Sequence, residues 1–168
     1  MRLLEPHHAS ALFALTDKNR EYLRKWLPWI DYTQSEDDSA AFISISEQQH
    51  NDQEGFHAGI WHDRNLVGCI GFHRIDWAHR QVKIGYWLAQ GHQGHGLVTA
   101  ATRAMTQHAL VDLGLNRVEI RAATSNLKSR AIPERLGFKF EGVARQAEWL
   151  YDHFVDLAVY AILASEWR

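Results

Sequence analysis

The pattern of apolar and polar positions divides this chain into a helical first third and an alternating remainder. After a short stretch at Arg2–Glu5 that reads as a strand, Pro6 precedes a helical pattern carried by Ala11, Leu12, Leu15 and Asn19. An aromatic segment, Glu21–Ile30, follows and is broken at Leu27-Pro28-Trp29, where proline cannot continue a helix. Ser35 with Asp38 three residues on forms a capping box that opens a helix running to about Gln49. From Phe56 the period changes to two. Phe56, Ala58 and Ile60 alternate, a polar tip at His62–Asn65 turns the chain, and Leu66–Phe72 returns, which predicts a hairpin. A second tip near Asp76–Arg80 leads into Gln81–Leu88, with Val82, Ile84, Tyr86 and Leu88 on one face.

Leu97, Ala100, Ala101, Ala104, Met105, His108 and Val111 then trace one face of a helix that Gly114 ends. Arg117–Ala123 reads as a strand, Leu127–Leu136 as a short helix stopped by Gly137, and Lys139–Leu150 with His153–Leu163 as a closing hairpin. A strand, a helix and a strand in succession make one crossover unit with a parallel pair. The expected fold is therefore α+β: a mostly antiparallel sheet, one central parallel pair and flanking helices. With 168 residues and no Pro/Ser-rich linker, residues 1–168 are expected to form a single domain.

Composition narrows the partners. A formal net charge of −2 gives no basic footprint, so nucleic acid is not an expected ligand. No stretch approaches a membrane span, and the first residues have no signal-peptide core. Cys69 is alone, in the apolar run Leu66–Phe72, which points to a buried structural thiol in a reducing, cytoplasmic setting. The eleven histidines are scattered, with no His-Glu-x-x-His and no cysteine pair, so no metal site is expected.

The chemistry concentrates where the strand ending at Leu88 runs into Ala-Gln-Gly-His-Gln-Gly-His-Gly and then into a small-residue helix. Backbone N–H groups at such a turn, backed by the helix dipole, attract anions, and Gly94 and Gly96 let a phosphate come close. A P-loop is excluded, because no Gly-Lys-Ser/Thr closes the turn. A dinucleotide fingerprint would use Gly94 and Gly96 with Thr99 in the third glycine position and Glu119 as the ribose acid. Antiparallel hairpins upstream deny it the repeated parallel strands it needs. The third reading is the pyrophosphate of coenzyme A.

Gln93-Gly94-His95-Gly96-Leu97-Val98 resembles the Gln/Arg-x-x-Gly-x-Gly/Ala signature of the GNAT acetyltransferases, with Val98 at the last position. Asn126-Leu-Lys-Ser129 followed by Leu136-Gly137-Phe138 is similar to that family's second coenzyme A segment. Tyr22 to Trp29, Gly85-Tyr86-Trp87-Leu88 and Gln146 to Leu150 resemble the RimJ/RimL branch, most of all its RimL-type ribosomal-protein-serine acetyltransferases.

The resemblance implies acetyl-CoA as co-substrate, held in a cleft where two strands splay. Tyr86, Trp87 and Leu88 would meet its pantetheine arm through their backbones, and Gln93, Gly94, His95, Gly96, Leu97, Val98 and Thr99 its pyrophosphate. Asn126 would fix the arm near the thioester, and it is equally a cap for the helix that begins at Leu127. The tyrosine that many members place four residues before the glycine of Gly-Phe is absent; Pro133 stands there. The resemblance assigns the departing thiolate to Ser129 and the base to Glu148. The alternatives are a helix-surface serine and a structural ion pair on a strand face. Trp29 is the candidate acceptor wall, or else a core anchor together with Tyr22 and Trp26. One carboxylate suits an α-amine, of pKa near ~8, better than a lysine near ~10.4. The expected acceptor is thus a protein N-terminus, that of a ribosomal protein, with a small amine such as a polyamine or aminoglycoside as the alternative. A coenzyme A sensor without catalysis is a third reading. A homodimer is what the subgroup resemblance implies.

Overall fold

A computed structural model describes the whole chain, Met1 to Arg168. Strand β1 is only Arg2–Leu3, paired antiparallel with Gly59 and Ala58 at the sheet edge. Helices α1 (Ala9–Lys18), α2 (Arg20–Leu23) and α3 (Glu36–Asn51) follow. The Ser35 hydroxyl accepts the Asp38 N–H, and the Asp38 carboxylate accepts the Ser35 N–H, so the capping box closes in both directions. Strands β2 (His57–His62) and β3 (Asn65–Phe72) form the expected hairpin. Its two-residue turn, Asp63-Arg64, has φ of 48° and 66°, the left-handed pair that matches strand twist in a type I′ turn. Strand β4 is Gln81–Leu88, α4 Leu97–Gln107, β5 Arg117–Ala123, α5 Leu127–Arg135, β6 Lys139–Leu150 and β7 His153–Leu163.

One seven-stranded sheet results, in the order β1-β2-β3-β4-β5-β7-β6, with a single parallel pair, β4 and β5. That pair is short. Gln81, Val82 and Lys83 match Arg117, Val118 and Glu119, and there the pairing stops. Beyond it β4 stays with β3 to Leu88, while β5 stays with β7 to Ala123. The two strands therefore diverge, and one backbone edge of each is left without a strand partner.

Apolar side chains fill both faces. Val82 and Ile84 of β4 join Val98, Ala101, Met105 and Leu110 in the core beneath α4, with Tyr86 and Leu88 packed on its margin. On the opposite face Leu4, Ala9, Leu12, Ile43, Leu66 and Cys69 form a smaller core under α1 and α3, against which Trp87 packs. No helix is long and apolar enough to cross a membrane.

Two local features differ from the pattern-based expectation. In α4 the buried residues are Val98, Ala101, Thr102, Met105 and Thr106, rather than the face through Ala100 and Ala104. Apolar spacing passes over the threonines, yet Thr106 donates its hydroxyl to the Thr102 carbonyl at 2.8 Å and so presents its methyl to the core. A widened π turn at His108–Asp112 then shifts the register, burying Ala109 and Leu110 and leaving Val111 exposed. In β6 the pairing jumps from Ala144↔Leu157 to Glu148↔Val155, so Arg145, Gln146 and Ala147 bulge opposite Asp156. Gln146 takes a φ of 47° and its N–H donates to the Asp156 carboxylate at 2.7 Å. The surplus of two residues is even, so Glu148 keeps the face of Ala144 and Leu157.

Glycine at position 68 allows β3 to lie close to the cleft strand: a methyl there would stand 2.4 Å from the Trp87 carbonyl oxygen. Gly68→Ala is expected to lower the unfolding free energy by about 1–3 kcal/mol, read from urea denaturation.

Candidate active site

The gap between β4 and β5 opens into a cavity of about 1550 Å³. Ile84 to Leu88 line one wall, Arg121 to Ala123 the other, and the turn before α4, α5 and the segment from Tyr22 to Trp29 complete it. Trp29, Tyr86, Trp87, Leu88, Gln93, Gly94, Gly96, Leu97, Val98, Thr99, Asn126, Ser129 and Glu148 all lie on its surface. His95 does not: its ring turns toward His62, 5.6 Å away between centroids, and its Nδ1 sits 3.3 Å from the His92 carbonyl. Only its backbone can belong to the site.

The turn is shaped for an anion. Gly94 and Gly96 have φ of 83° and 72°, left-handed values that favour glycine, and nothing lies within 4 Å of where their β-carbons would stand. Gly96 is the N-cap of α4 and has no capping side chain, so the first-turn amides of the helix stay available. Val98, the departure from the family signature, points its side chain into the core, 7% exposed, and leaves the mouth of the turn unobstructed. Cations surround this end. Lys128 Nζ donates to Gln93 Oε1 at 2.8 Å, Arg135 donates to the Thr99 hydroxyl at 2.7 Å, and Arg103 lines the same cavity.

Where β4 passes α5, the Tyr86 hydroxyl donates to the Ser129 carbonyl at 2.9 Å, and Ser129 Oγ lies 3.4 Å from that hydroxyl. Burial pushes the Tyr86 phenol well above its ordinary pKa, so it stays protonated. Asn126 Oδ1 accepts the Ser129 N–H at 3.1 Å, which makes Asn126 the N-cap of α5. Its amide nitrogen is left over for a ligand.

Glu148 is half-buried, makes no ion pair, and has its carboxyl pushed above the ordinary range by burial alone. The structural ion-pair alternative therefore fails. The core-anchor reading of the aromatic segment fails too: Leu23 and Ile30 are the buried anchors, at 2% and 0% exposure, whereas Trp26 and Trp29 face the cavity. Trp29 packs at 6.1 Å on Trp87.

The pattern of apolar positions passes over several lining groups. His57, His73, Lys83 and Arg121 share the rim with Trp87, and burial drives the His57 imidazole down to about 4 and lowers that of His73. Lys83 and Arg121 occupy the polar positions of alternating strands, a signal legible only once those strands are known to flank a cleft. Burial raises the Glu119 carboxyl, but hydrogen bonds from Arg117 and Arg121 and the charge of Lys83 outweigh it and hold the group ionised. Cys69 also reaches the cavity wall, and burial pushes its thiol up to about 12.

A turn of exposed amides at a helix N-terminus, beside a cleft between splayed parallel strands, suits an enzyme that uses an acyl-CoA as acyl donor. The chain belongs to the GNAT acetyltransferases: residues 1–139 match the family's acetyltransferase (GNAT) domain. It is 40% identical over 169 residues to "Putative ribosomal N-acetyltransferase YdaF" of Bacillus subtilis (strain 168), covering 100% of this chain and 92% of that protein. It is 32% identical over 155 residues to the ribosomal-protein-serine acetyltransferase of Escherichia coli (strain K12), covering 92% and 87% respectively. The solved structure of RimL, a ribosomal L7/L12 alpha-N-protein acetyltransferase in complex with coenzyme A, superposes with a TM-score of 0.93 at 26% identity, covering 96% of this chain and 92% of that one. The protein is an acetyl-CoA-dependent N-acetyltransferase of the GNAT type.

The unpaired Glu148 has a consequence for stability. With a folded pKa above the unfolded value, its ionised form penalises the native state; the penalty is absent below the unfolded pKa and full above the folded one. Glu148→Gln is expected to raise the melting temperature by about 1–3 °C at pH 7–8, with the gain vanishing below about pH 4 in thermal scans.

Proposed function

We propose that the acceptor is the N-terminal α-amine of a protein, in the cytoplasm, with a ribosomal protein as the substrate. The names of the YdaF and RimL relatives support this reading, and one observation of the cavity carries it. Lys83, Arg103, Arg121, Lys128 and Arg135 line the cavity, against a single carboxylate, Glu148. A polyamine brings several positive charges and needs several carboxylates; an N-terminal amine brings one.

Gln93 to Thr99 offer amides to the pyrophosphate, and Lys128, Arg135 and Arg103 offset its charge. The unpaired backbone edge at Tyr86, Trp87 and Leu88 takes the amides of the pantetheine arm, and the spare Asn126 amide nitrogen orients it. Trp29 with Trp87 walls the acceptor side. Glu148, as the carboxylate, accepts a proton from the acceptor ammonium through a water. The neutral amine attacks the acetyl carbonyl carbon, the carbon–sulfur bond breaks with the sulfur leaving as thiolate, and the nitrogen's surplus proton passes to that thiolate or to water. Ser129 Oγ, oriented beside Tyr86, donates a hydrogen bond to that sulfur. A thiol of pKa near ~8.5 leaves without a strong acid, which fits a helix with Pro133 in place of a tyrosine.

The test offers purified protein acetyl-CoA with Ser-starting peptides, Lys peptides blocked at the N-terminus, and spermidine, with products read by mass spectrometry. Acetylation of the Ser-starting α-amine is expected; modification of spermidine alone refutes the reading. With the accepted peptide, Glu148→Gln is expected to lower kcat by about 10²–10⁴ and to remove the acidic limb of the pH profile, since the base is lost as pH falls through its raised pKa. Ser129→Ala is expected to cost less, about tenfold, in line with one lost hydrogen bond to a good leaving group. A wild-type rate across pH for Glu148→Gln would remove Glu148 as the base.

A further inference from the structure

The side chains that bind the cofactor turn to the rest of the molecule do not reach only to α5. Gln93 is used on both sides: its amide nitrogen donates to the Tyr22 hydroxyl on α2, while its oxygen accepts from Lys128 on α5. Three residues earlier the Gln90 N–H donates at 3.0 Å to Asn19, the residue joining α1 to α2. Two hydrogen bonds thus hold α2 against the turn that precedes α4.

Helix α2 in turn carries the aromatic wall. Arg20 donates to the carbonyls of Ile30, at 2.7 Å, and Thr33, at 2.6 Å, and so folds the wall segment back onto its own helix. Arg24 pairs with Asp31 and lies 3.8 Å over the Tyr151 ring, whose hydroxyl donates at 2.5 Å to the Leu27 carbonyl. Residues 20 to 33 are therefore tied together into one piece, with Trp26 and Trp29 on it. The tip of the β6–β7 hairpin, next to Glu148, is fastened to the same piece.

We propose that Tyr22 is a positioning residue that, with Asn19, couples occupation of the cofactor turn to the placement of the acceptor wall. An anion seated on the amides of Gly94 to Thr99 fixes the turn. A fixed turn fixes Gln90 and Gln93, and through them α2 and its tryptophans. Glutamine suits this role where arginine, the signature's other choice, does not: it supplies a donor for Tyr22 and an acceptor for Lys128 at once. The enzyme then builds its acceptor site most completely when acetyl-CoA is already bound, and by linkage the acceptor tightens acetyl-CoA by the same factor. The inference rests on the assignment of the glycine turn to coenzyme A.

Hydrogen-exchange mass spectrometry with coenzyme A alone tests it without any acceptor. In the wild type, saturating coenzyme A is expected to slow exchange both at residues 90–100 and, by about fivefold or more, at the wall amides of Trp26, Leu27, Tyr32 and Thr33, which close hydrogen bonds within the segment. In Tyr22→Phe, which keeps the ring and removes the hydroxyl, the turn is expected to stay protected while the wall loses most of its protection. Equal wall protection in both proteins, or a protected turn with an unprotected wall in the wild type, overturns the coupling. An unprotected turn in the wild type overturns the cofactor assignment itself, and the coupling with it. A thermal scan of Tyr22→Phe without ligand, expected to match the wild type within about 3 °C, separates lost coupling from lost folding; a larger drop refers the loss to stability and overturns the positioning role.

Discussion

Everything at this site depends on two neighbouring strands that stop pairing. After three residue pairs β4 and β5 part, each held by its other neighbour, and the backbone groups between them have no strand to satisfy them. A buried peptide edge without partners is costly, so such a gap persists only where water or a ligand with its own amides fills it. Pantetheine carries two amides in an extended chain, the chemistry that the unpaired backbone edge of β4 can take in the binding mode proposed above. The glycine turn lies at the end of β4, so the same divergence that opens the gap also delivers the anion site to its mouth.

Charge is divided along the cleft to match. At the α4 end, backbone amides and three basic side chains line the cavity with no carboxylate nearby, which suits the pyrophosphate proposed to bind there. On the far side the surplus cations Lys83 and Arg121 are tied up by Glu119, which leaves Glu148 with nothing to neutralise it. A half-buried carboxylate without a partner does little for the native state. An unpaired carboxylate there fits the role proposed for Glu148, taking the proton of an acceptor ammonium.

Much of this was legible in the residues. The strand boundaries from β4 to β7, the capping box at Ser35 and the glycine turn follow from period, caps and turn chemistry, because each is a local constraint. The family resemblance singled out Asn126, Ser129 and Glu148, and all three line the cavity. What escaped was non-local. The bulge at Arg145–Ala147 leaves no mark in an alternating strand, and it depends on Asp156, which lies on the partner strand. The burial of Thr106 required knowing that its hydroxyl bonds back to the Thr102 carbonyl along the helix, and nothing in apolar spacing marks the equally buried Thr102. His95 looked like part of the turn and is so only in its main chain, since its ring found His62 on a distant hairpin. The bonds from Tyr22 and Asn19 to the turn span 71 residues each and have no sequence signature at all.

Cys69 sits in the wall of a cavity from which a free thiol departs at every turnover. Disulfide exchange needs a thiolate to start it, and burial pushes this thiol's pKa up, which keeps Cys69 protonated. Burial of this single sulfur thus disfavours its exchange with a coenzyme A disulfide in the same cleft.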